Sequence, residues 1–552
     1  MYPKKQLAQL VISACQYFKI DTVVLSPGSR NAPLTIGFSN HPEIKSLSVV
    51  DERCAAFFAM GIAQQTQKPV AIVCTSGSAL LNYYPAIAEA FYSKIPLLVI
   101  SADRPKHLID IGDGQTIRQE NVFKNHILFE ANLKEDNSLI TQNTHSISKA
   151  IKTAIYKKGP VHINVPFDEP LNEAEAILAS FDFDKEIIIN KKNESVIDIN
   201  RFSKIWNSSK RKLILVGVCF PSDELQRLVD EISEDDTVLV MTETTSNLNN
   251  PKFINSIDKL ISKLTLEEFE ELQPEILLTF GGMVVSKRIK QFLRKYKPKH
   301  HWHIDEETKL DTYFSLSEFV QEKPVSFLSA LNKNKIIVKG DYQQKWIQEK
   351  EARNVKHNIF LKSAAYSDLK VFESVLESIP QKSQLQISNS SIIRYAQLFN
   401  LKDSLQVFCN RGTSGIDGST STAIGAAFVS KKQTVFITGD LSFFYDSNAL
   451  WNENIPKNFR IILINNSGGG IFKIIPGPKT TNALPYFETA HGLTAMHLAK
   501  MFSFEYLSAK TIIEVKEQLS DFYKVSEQPK ILEIFTPSDI NDVVLQQYFK
   551  NI

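Results

Sequence analysis

What the chain lacks narrows it first. It has no stretch of 18 consecutive apolar residues, so a membrane-spanning helix is not expected. Its five cysteines, at 15, 54, 74, 219 and 409, are few, scattered and odd in number, and no CxxC pair occurs. That usage argues against a disulfide framework and a thiolate zinc site, and it fits a reducing, cytoplasmic setting. Neither sign of charge dominates: 63 Lys and Arg against 61 Asp and Glu leave a formal net charge of +2. No nucleic-acid partner is therefore expected, and the longest basic stretch, RKYKPKHH (294–301), reads as a solvated helix end. The N-terminal residues carry polar groups at helical spacing and no long apolar core, so they do not read as a signal peptide. No GxGxxG follows a strand and no GxxxxGK[ST] occurs, which argues against a dinucleotide-dependent oxidoreductase.

What is present is an ordinary globular composition, 43% hydrophobic and 22% charged over 552 residues. At roughly 150 residues per domain that length allows about three or four domains. Short apolar runs ending in Gly, Ser or Asp alternate with helical patterns: DTVVLSPGS, KPVAIVCTSGS, IPLLVISAD, RKLILVGV, PEILLTFGG, TVFITGD and FRIILINN. They lack apolar–polar alternation, as strands do when helices cover both faces of a parallel sheet. The expected class is α/β, repeated along the chain. Two stretches read as linkers, 175–200 after the proline-rich GPVHINVPFDEPL, and the charged, helical 335–365. They divide the chain into 1–180, 190–340 and 360–552.

One pair of runs carries chemistry. TVFITGD and RIILINN are buried strands with the helical SFFYDSNALWN between them, so they form a right-handed βαβ unit with parallel strands. Asp440 and Asn466 then sit together at the carboxyl ends of adjacent strands, where open α/β sheets bind ligands. A carboxylate and an amide oxygen are hard ligands that suit Mg²⁺, which takes its remaining ligands from phosphate and water. The Gly468 carbonyl is a third candidate ligand, and SGGGIF lets a backbone come close. Ser442 and the N–H groups at the following helix start are candidates to hold a diphosphate. The structural alternative, a helix N-cap at Asp440 and an asparagine turn, explains either residue alone but not the paired strand ends with glycines behind them.

This arrangement resembles the metal motif of the thiamine diphosphate enzymes, GD-G followed by NN. The third position departs from it, being Leu441. A literal GDG at 112–114 follows no clear strand and has no NN at the right distance, and the NN at 249–250 has no upstream partner. The resemblance implies a carboxylic acid against N1′ of the cofactor's aminopyrimidine. In LSVVDERCAAFFAMGIA (47–63), Glu52 opens a helix after a strand and is the candidate, although a carboxylate there also simply meets the helix dipole. TSGSALLNYYPAIAEAF (75–91) supplies small residues that let a flat ring approach. In this superfamily the glutamate and the metal motif face each other across a subunit interface, so a homodimer or homotetramer is implied.

Arginines and polar groups recur beside strand ends: Arg30 in SPGSRNAPL, Arg104 in SADRP, Gln115 and Arg118 in GQTIRQ, Ser390 and Arg394 in SNSSIIRYA, Arg411 in NRGTSGIDG. Arg makes planar two-pronged contacts to carboxylates, so this set suggests substrates with several carboxylates. Structural ion pairs are the alternative for each. In this order, SPGSRNAPL, DER before an Ala/Phe-rich helix, SADRP, NRGTSGIDG and GDLSFFYD resemble one family, the 2-succinyl-5-enolpyruvyl-6-hydroxy-3-cyclohexene-1-carboxylate synthases of menaquinone biosynthesis. That family also follows GD with a bulky residue and Ser, as Leu441-Ser442 do here.

The resemblance covers both terminal domains. The middle one matches loosely, with GGMVVSKRIKQFL offering Lys287 as a substrate contact. It implies three doubly wound parallel-sheet domains: pyrimidine-binding (1–180), middle (190–340) and diphosphate-binding (360–552). It implies thiamine diphosphate with Mg²⁺ or Mn²⁺, held around Glu52, Ser390, Asp440, Leu441, Ser442 and Asn466. The reaction implied is decarboxylation of 2-oxoglutarate and conjugate addition of the succinyl carbanion equivalent to isochorismate. Arg30, Arg104, Gln115, Arg394 and Arg411 would orient the substrates. Ile471, Phe472 and Ile475 would wall the thiazolium, or equally be core. The nearest alternative is another thiamine diphosphate 2-oxo acid decarboxylase or carboligase, acting on smaller and less charged acids. A catalytically dead binding subunit is disfavoured by Glu52, Asp440 and Asn466 occurring together. None of the eleven histidines stands in these motifs, and His162 in VHINVP and those of HHWHID read as strand residues.

Overall fold

The computed structural model describes residues 1–183, 197–474 and 477–552. Strands β1 (Tyr2–Pro3), β2 (Thr22–Leu25), β3 (Lys45–Ser48), β4 (Val70–Cys74), β5 (Leu97–Asp103), β6 (Glu130–Asn132), β7 (Val161–Pro166) and β8 (Ala174–Glu175) come first. β1 and β8 form a small antiparallel pair, and the other six make a parallel sheet in the order β3-β2-β4-β5-β7-β6. A second parallel sheet holds β9 (Lys212–Val216), β10 (Val238–Met241), β11 (Ile276–Phe280), β12 (His300–Ile304) and β13 (Glu318–Val320), in the order β10-β9-β11-β12-β13. A third holds β14 (Gln384–Ile387), β15 (Gln406–Phe408), β16 (Thr434–Gly439), β17 (Arg460–Asn465), β18 (Glu505–Ala509) and β19 (Lys530–Phe535), in the order β15-β14-β16-β17-β19-β18. The first and third sheets therefore share one winding, and the expected repeated α/β class is what the chain forms.

The missing alternation has its cause in burial. Every residue of β4, β11 and β17 is buried. Each Val, Leu or Ile so removed from water contributes about 1.5–3 kcal/mol. HHWHID forms β12, in which His301 and His303 are buried and share the Thr279 hydroxyl, each at 3.0 Å. All five cysteines are free. Among the described residues no helix is long and apolar enough to cross a membrane.

The terminal sheets meet through two helices. Helix Glu52–Thr66 is capped by Asp51, whose carboxylate accepts from Cys54 N at 3.1 Å, and it is buried from Cys54 to Gln64. It lies against helix Ser419–Val429, itself buried from Ser419 to Ala427. The backbones touch. A Cβ on Gly61 would stand 2.1 Å from Thr422 O, and one on Gly425 would stand 1.9 Å from Phe58 O. One apolar core runs through this contact, including Val24 and Phe58 on one side and Ile424, Ile461 and Leu463 on the other.

The stretch 335–365 contains a 22-residue helix, Tyr342–Ser363. Gln343 donates to Ser233 O and Val238 O, both at 2.7 Å, on the middle sheet's side. At the other end Arg353 donates to Ile552 O at 2.6 Å and His357 Nδ1 meets Tyr548 OH at 2.7 Å. This charged helix is thus fastened to both of its neighbours. Part of the 175–200 stretch lies outside the described residues, as does Ile475.

Candidate cofactor and substrate site

β16 and β17 are parallel neighbours, with Gly439 opposite Ile464, so Asp440 and Asn466 leave the two carboxyl ends side by side. Asp440 is 3% exposed. Its Oδ1 accepts from Leu441 N at 2.7 Å and its Oδ2 from Gly468 N at 2.9 Å. Asn466 donates Nδ2 to Asp368 Oδ2 at 2.9 Å, which turns its amide oxygen away from Asp368. The Gly468 carbonyl accepts from Gly470 N at 2.9 Å and keeps a second lone pair. These three oxygen donors fit a hard cation that completes its shell from phosphate and water. Among the described residues no group of three or more His, Cys, Asp and Glu side chains is placed to hold a metal.

Ser442 is buried at the same strand end, and its hydroxyl donates to Ile416 O at 3.0 Å. The helix Asp440–Tyr445 has six residues, so its dipole is small and individual N–H groups would have to do the holding.

Two residues that the sequence motifs passed over complete this corner. Asp368 is 2% exposed and accepts from Thr536 Oγ1 at 2.5 Å as well as from Asn466. Burial pushes its carboxyl up to about 6 against those hydrogen bonds, and the Asp440 charge adds to the rise. It lies 98 residues from Asn466 and looks, in YSDLK, like any helix start. His491 Nε2 stands 3.4 Å from Asp440 Oδ2, an ion-pair distance, and that carboxylate holds the ring above its ordinary value. His491 stands in none of the sequence motifs, yet it reaches Asp440 from a later loop.

Glu52 opens its helix as expected and accepts from Asn82 Nδ2 at 3.2 Å. Its neighbours reach the other lobe. Asp51 Oδ2 accepts from Asn448 Nδ2 at 2.8 Å, and Arg53 donates to Tyr445 O at 3.0 Å. Arg53 also stands 3.6 Å from Asp446 Oδ1, to which Cys54 Sγ approaches at 3.5 Å. Asp446 is fully buried and accepts from Ser421 N at 2.7 Å and Ser421 Oγ at 2.9 Å. Burial lifts its carboxyl to about 7, against the Ser421 bonds and the Arg53 charge. The helix that Glu52 opens and the helix that Asp440 opens are therefore pinned together within one chain.

Four of the arginines lie near enough for their charges to act on one another, Arg30 with Arg104 and Arg394 with Arg411. Arg30, 4% exposed, donates Nη1 to Phe167 O at 2.9 Å and pairs with Glu169 at 3.2 Å. Its pKa is lowered by burial first and then by the Arg104 charge. Arg104 pairs loosely with Asp113 at 3.6 Å. Arg411 donates Nη1 to Asn389 Oδ1 at 2.7 Å, and Arg394 donates to Ser390 O. Burial lowers the Arg394 pKa, and the Arg411 charge lowers it further. Arg30, Arg104 and Arg411 each bury an Nε with no partner.

The other candidates separate. Arg118 stands apart, exposed and paired with Asp110 at 2.8 Å. The Gln115 carbonyl accepts from Ser76 Oγ at 2.9 Å, which keeps Gln115 beside the TSGS loop. Lys287 is exposed and opens helix Lys287–Lys295. The loop before that helix touches the third sheet's arginine, with Met283 Sδ 3.7 Å from Arg411 Nη2. Ser390 takes a left-handed backbone, φ 69°, at the start of helix Ser391–Ala396. Leu441 is half-buried, Ile471 is buried, and Phe472 stacks on Phe487 at 5.2 Å between ring centroids.

Two family models match the chain: thiamine pyrophosphate enzyme, N-terminal TPP binding domain, over residues 5–127, and middle domain of thiamine pyrophosphate, over residues 186–387. A protein of Flavobacterium johnsoniae is 56% identical, with all of both chains covered. One of Flavobacterium psychrophilum is 54% identical over the same full coverage, and one of Christiangramia forsetii is 49% identical over 99% of each chain. All three carry the name 2-succinyl-5-enolpyruvyl-6-hydroxy-3-cyclohexene-1-carboxylate synthase. With identity of this order running from end to end, and with the paired strand ends and clustered arginines already described, the chain belongs to the 2-succinyl-5-enolpyruvyl-6-hydroxy-3-cyclohexene-1-carboxylate synthase family of thiamine diphosphate enzymes.

Proposed function

We propose that this chain decarboxylates 2-oxoglutarate with thiamine diphosphate and adds the succinyl unit to isochorismate, a C–C bond-forming transfer in menaquinone biosynthesis. The observation that supports this over a small-acid decarboxylase is the two arginine pairs. Beyond the ion pairs to Glu169 and Asp113, three buried Nε groups among these arginines have no partner, and such donors suit the carboxylates of anionic substrates. Each charge-assisted hydrogen bond to a substrate carboxylate contributes about 1.5–3 kcal/mol.

Thiamine diphosphate, when bound, supplies the electron sink for loss of CO₂. Asp440, the Asn466 amide oxygen and the Gly468 carbonyl would hold Mg²⁺ or Mn²⁺ against its diphosphate, with Ser390, Leu441 and Ser442 beside it. Glu52 holds a proton at N1′, and a positioned acid/base of this kind is worth about 10²–10⁴ in rate. Arg30, Arg104, Gln115, Arg394 and Arg411 orient carboxylates and hydroxyls, with Lys287 reaching in from the middle sheet. Ile471 and Phe472 exclude water from the reacting centre. Residues 1–180 serve as the pyrimidine-binding domain, 190–340 as the middle domain and 360–552 as the diphosphate-binding domain. The working form is a cytoplasmic homodimer or homotetramer.

The deciding experiment is a coupled assay with 2-oxoglutarate, isochorismate, thiamine diphosphate and Mg²⁺, each omitted in turn. Loss of adduct on every omission is expected. CO₂ release from pyruvate as fast as from 2-oxoglutarate would favour the smaller-acid enzymes and sink the assignment.

A further inference from the structure

Glu89 sits in helix Tyr84–Ser93, on the lobe of the first sheet, and is 1% exposed. Its carboxylate serves the third sheet. Oε1 accepts from Gly412 N at 2.7 Å and from Ser93 Oγ at 2.8 Å. Oε2 accepts from Thr413 N at 2.6 Å and Thr413 Oγ1 at 2.7 Å. An ionised carboxylate is an acceptor only, so four donors converging on it match its chemistry. Gly412 and Thr413 directly follow Arg411. The other side of this loop is held by Asn389. Its Nδ2 donates to Asn410 O and Gly415 O, both at 2.7 Å, while its Oδ1 accepts from Arg411 Nη1 at 2.7 Å. Arg411 is thus fixed twice, at its guanidinium by its own lobe and at its backbone by the opposite one.

We propose that Glu89 is a positioning residue for Arg411. From the lobe of the first sheet it sets where that guanidinium meets a substrate carboxylate, and this rests on the substrate role proposed above for Arg411. Glu89→Gln keeps the size of the side chain but replaces one oxygen with an NH₂ group. That group must face Gly412 N–H or Thr413 N–H, donor against donor, and the loop shifts. A shift of the loop weakens binding of the one substrate that Arg411 holds and leaves the chemistry at the other lobe in place.

The test is steady-state kinetics of the full-length, cofactor-loaded enzyme with both substrates, on Glu89→Gln, Arg411→Ala and the double variant. Glu89→Gln is expected to raise the KM of one substrate by about tenfold or more, the loss expected for a buried charged hydrogen bond. The other KM and kcat should stay within about threefold, because no group at the other lobe has moved. In the Arg411→Ala background Glu89→Gln should add less than about twofold, since residues acting as a unit are not additive. Thr413→Val, a milder change that removes one donor, should raise the same KM by about threefold, again only while Arg411 is present. Additive effects in the double variant, or a wild-type KM in Thr413→Val, would overturn the proposal. A wild-type KM for both substrates in Arg411→Ala would overturn it together with the substrate role of Arg411. A raised KM there with none in Glu89→Gln would remove Glu89 alone.

Discussion

Replacing Gly425 with alanine sets two effects of opposite sign against each other. Alanine in a helix interior is favoured over glycine by about 1 kcal/mol, so at an exposed position the change stabilises. At 425 the added Cβ would stand 1.9 Å from Phe58 O and 2.8 Å from Phe58 C. Both are backbone atoms and cannot rotate away. Ordinary contact near 3.4 Å is restored only if helices Ser419–Val429 and Glu52–Thr66 part by on the order of 1 Å, and a gap of that size forfeits roughly a quarter to a half of each dispersion contact. The contacts at stake include Phe57, Phe58, Ala423 and Ile424, all buried in the shared core. Overpacking usually costs about 1–3 kcal/mol, and an obstacle made of backbone belongs at the upper end. The net expectation is a loss of about 2 kcal/mol, read as a lower thermal midpoint of the cofactor-free protein. Because Glu52 opens one of these helices, thiamine diphosphate should also bind more weakly, which isothermal calorimetry measures. An unchanged or higher midpoint in Gly425→Ala would refute the reasoning, since it would mean the two backbones are not in contact.

Three further outcomes are expected. Asp440→Ala should stay folded by circular dichroism and lose Mg²⁺-dependent binding of thiamine diphosphate in calorimetry; unchanged affinity would rule out the metal assignment. Glu52→Gln should bind the cofactor but slow deuterium exchange at its C2, followed by NMR, by about 10²–10⁴; wild-type exchange would take Glu52 out of the mechanism. His357, buried against Tyr548, has its pKa lowered to about 3, by burial first and then by the Lys259 charge. The folded state keeps it neutral while the unfolded chain protonates near 6.5, so its share of stability is intact above that pH. Below it, about 1.4 kcal/mol is lost per pH unit until about pH 3. His357→Gln should therefore flatten the acid side of a urea-denaturation profile between pH 6 and 4.5, and an unaltered slope would show that this ring titrates normally.

The parts of the molecule legible in its sequence are those whose cause is local. TVFITGD and RIILINN are consecutive buried strands, so their pairing and the meeting of Asp440 with Asn466 follow from chain connectivity alone. The opening of a helix at Glu52 follows from the Asp51 cap. What stayed hidden depends on long loops closing. Asp368 reaches Asn466 across 98 residues, and Glu89 reaches Thr413 across 324. Neither separation leaves a trace in spacing or composition. The Ile416 carbonyl that meets the Ser442 hydroxyl lies 26 residues earlier, in another turn of chain. Apolar residues were the least readable: the same pattern that makes Ile471 a candidate wall also makes it core, and only packing shows it buried.

The short helix Asp440–Tyr445 spans about 9 Å at 1.5 Å per residue, with the cluster of oxygen donors at one end and Asp446 just past the other. Asp446 and Asn448 grip Arg53 and Asp51, the residues on either side of Glu52. Drift at any one of these four positions would disturb both ends of that rod at once. In an alignment of relatives, positions 51 and 448, and likewise 53 and 446, should change in step or stay put, as compensating pairs inherited together.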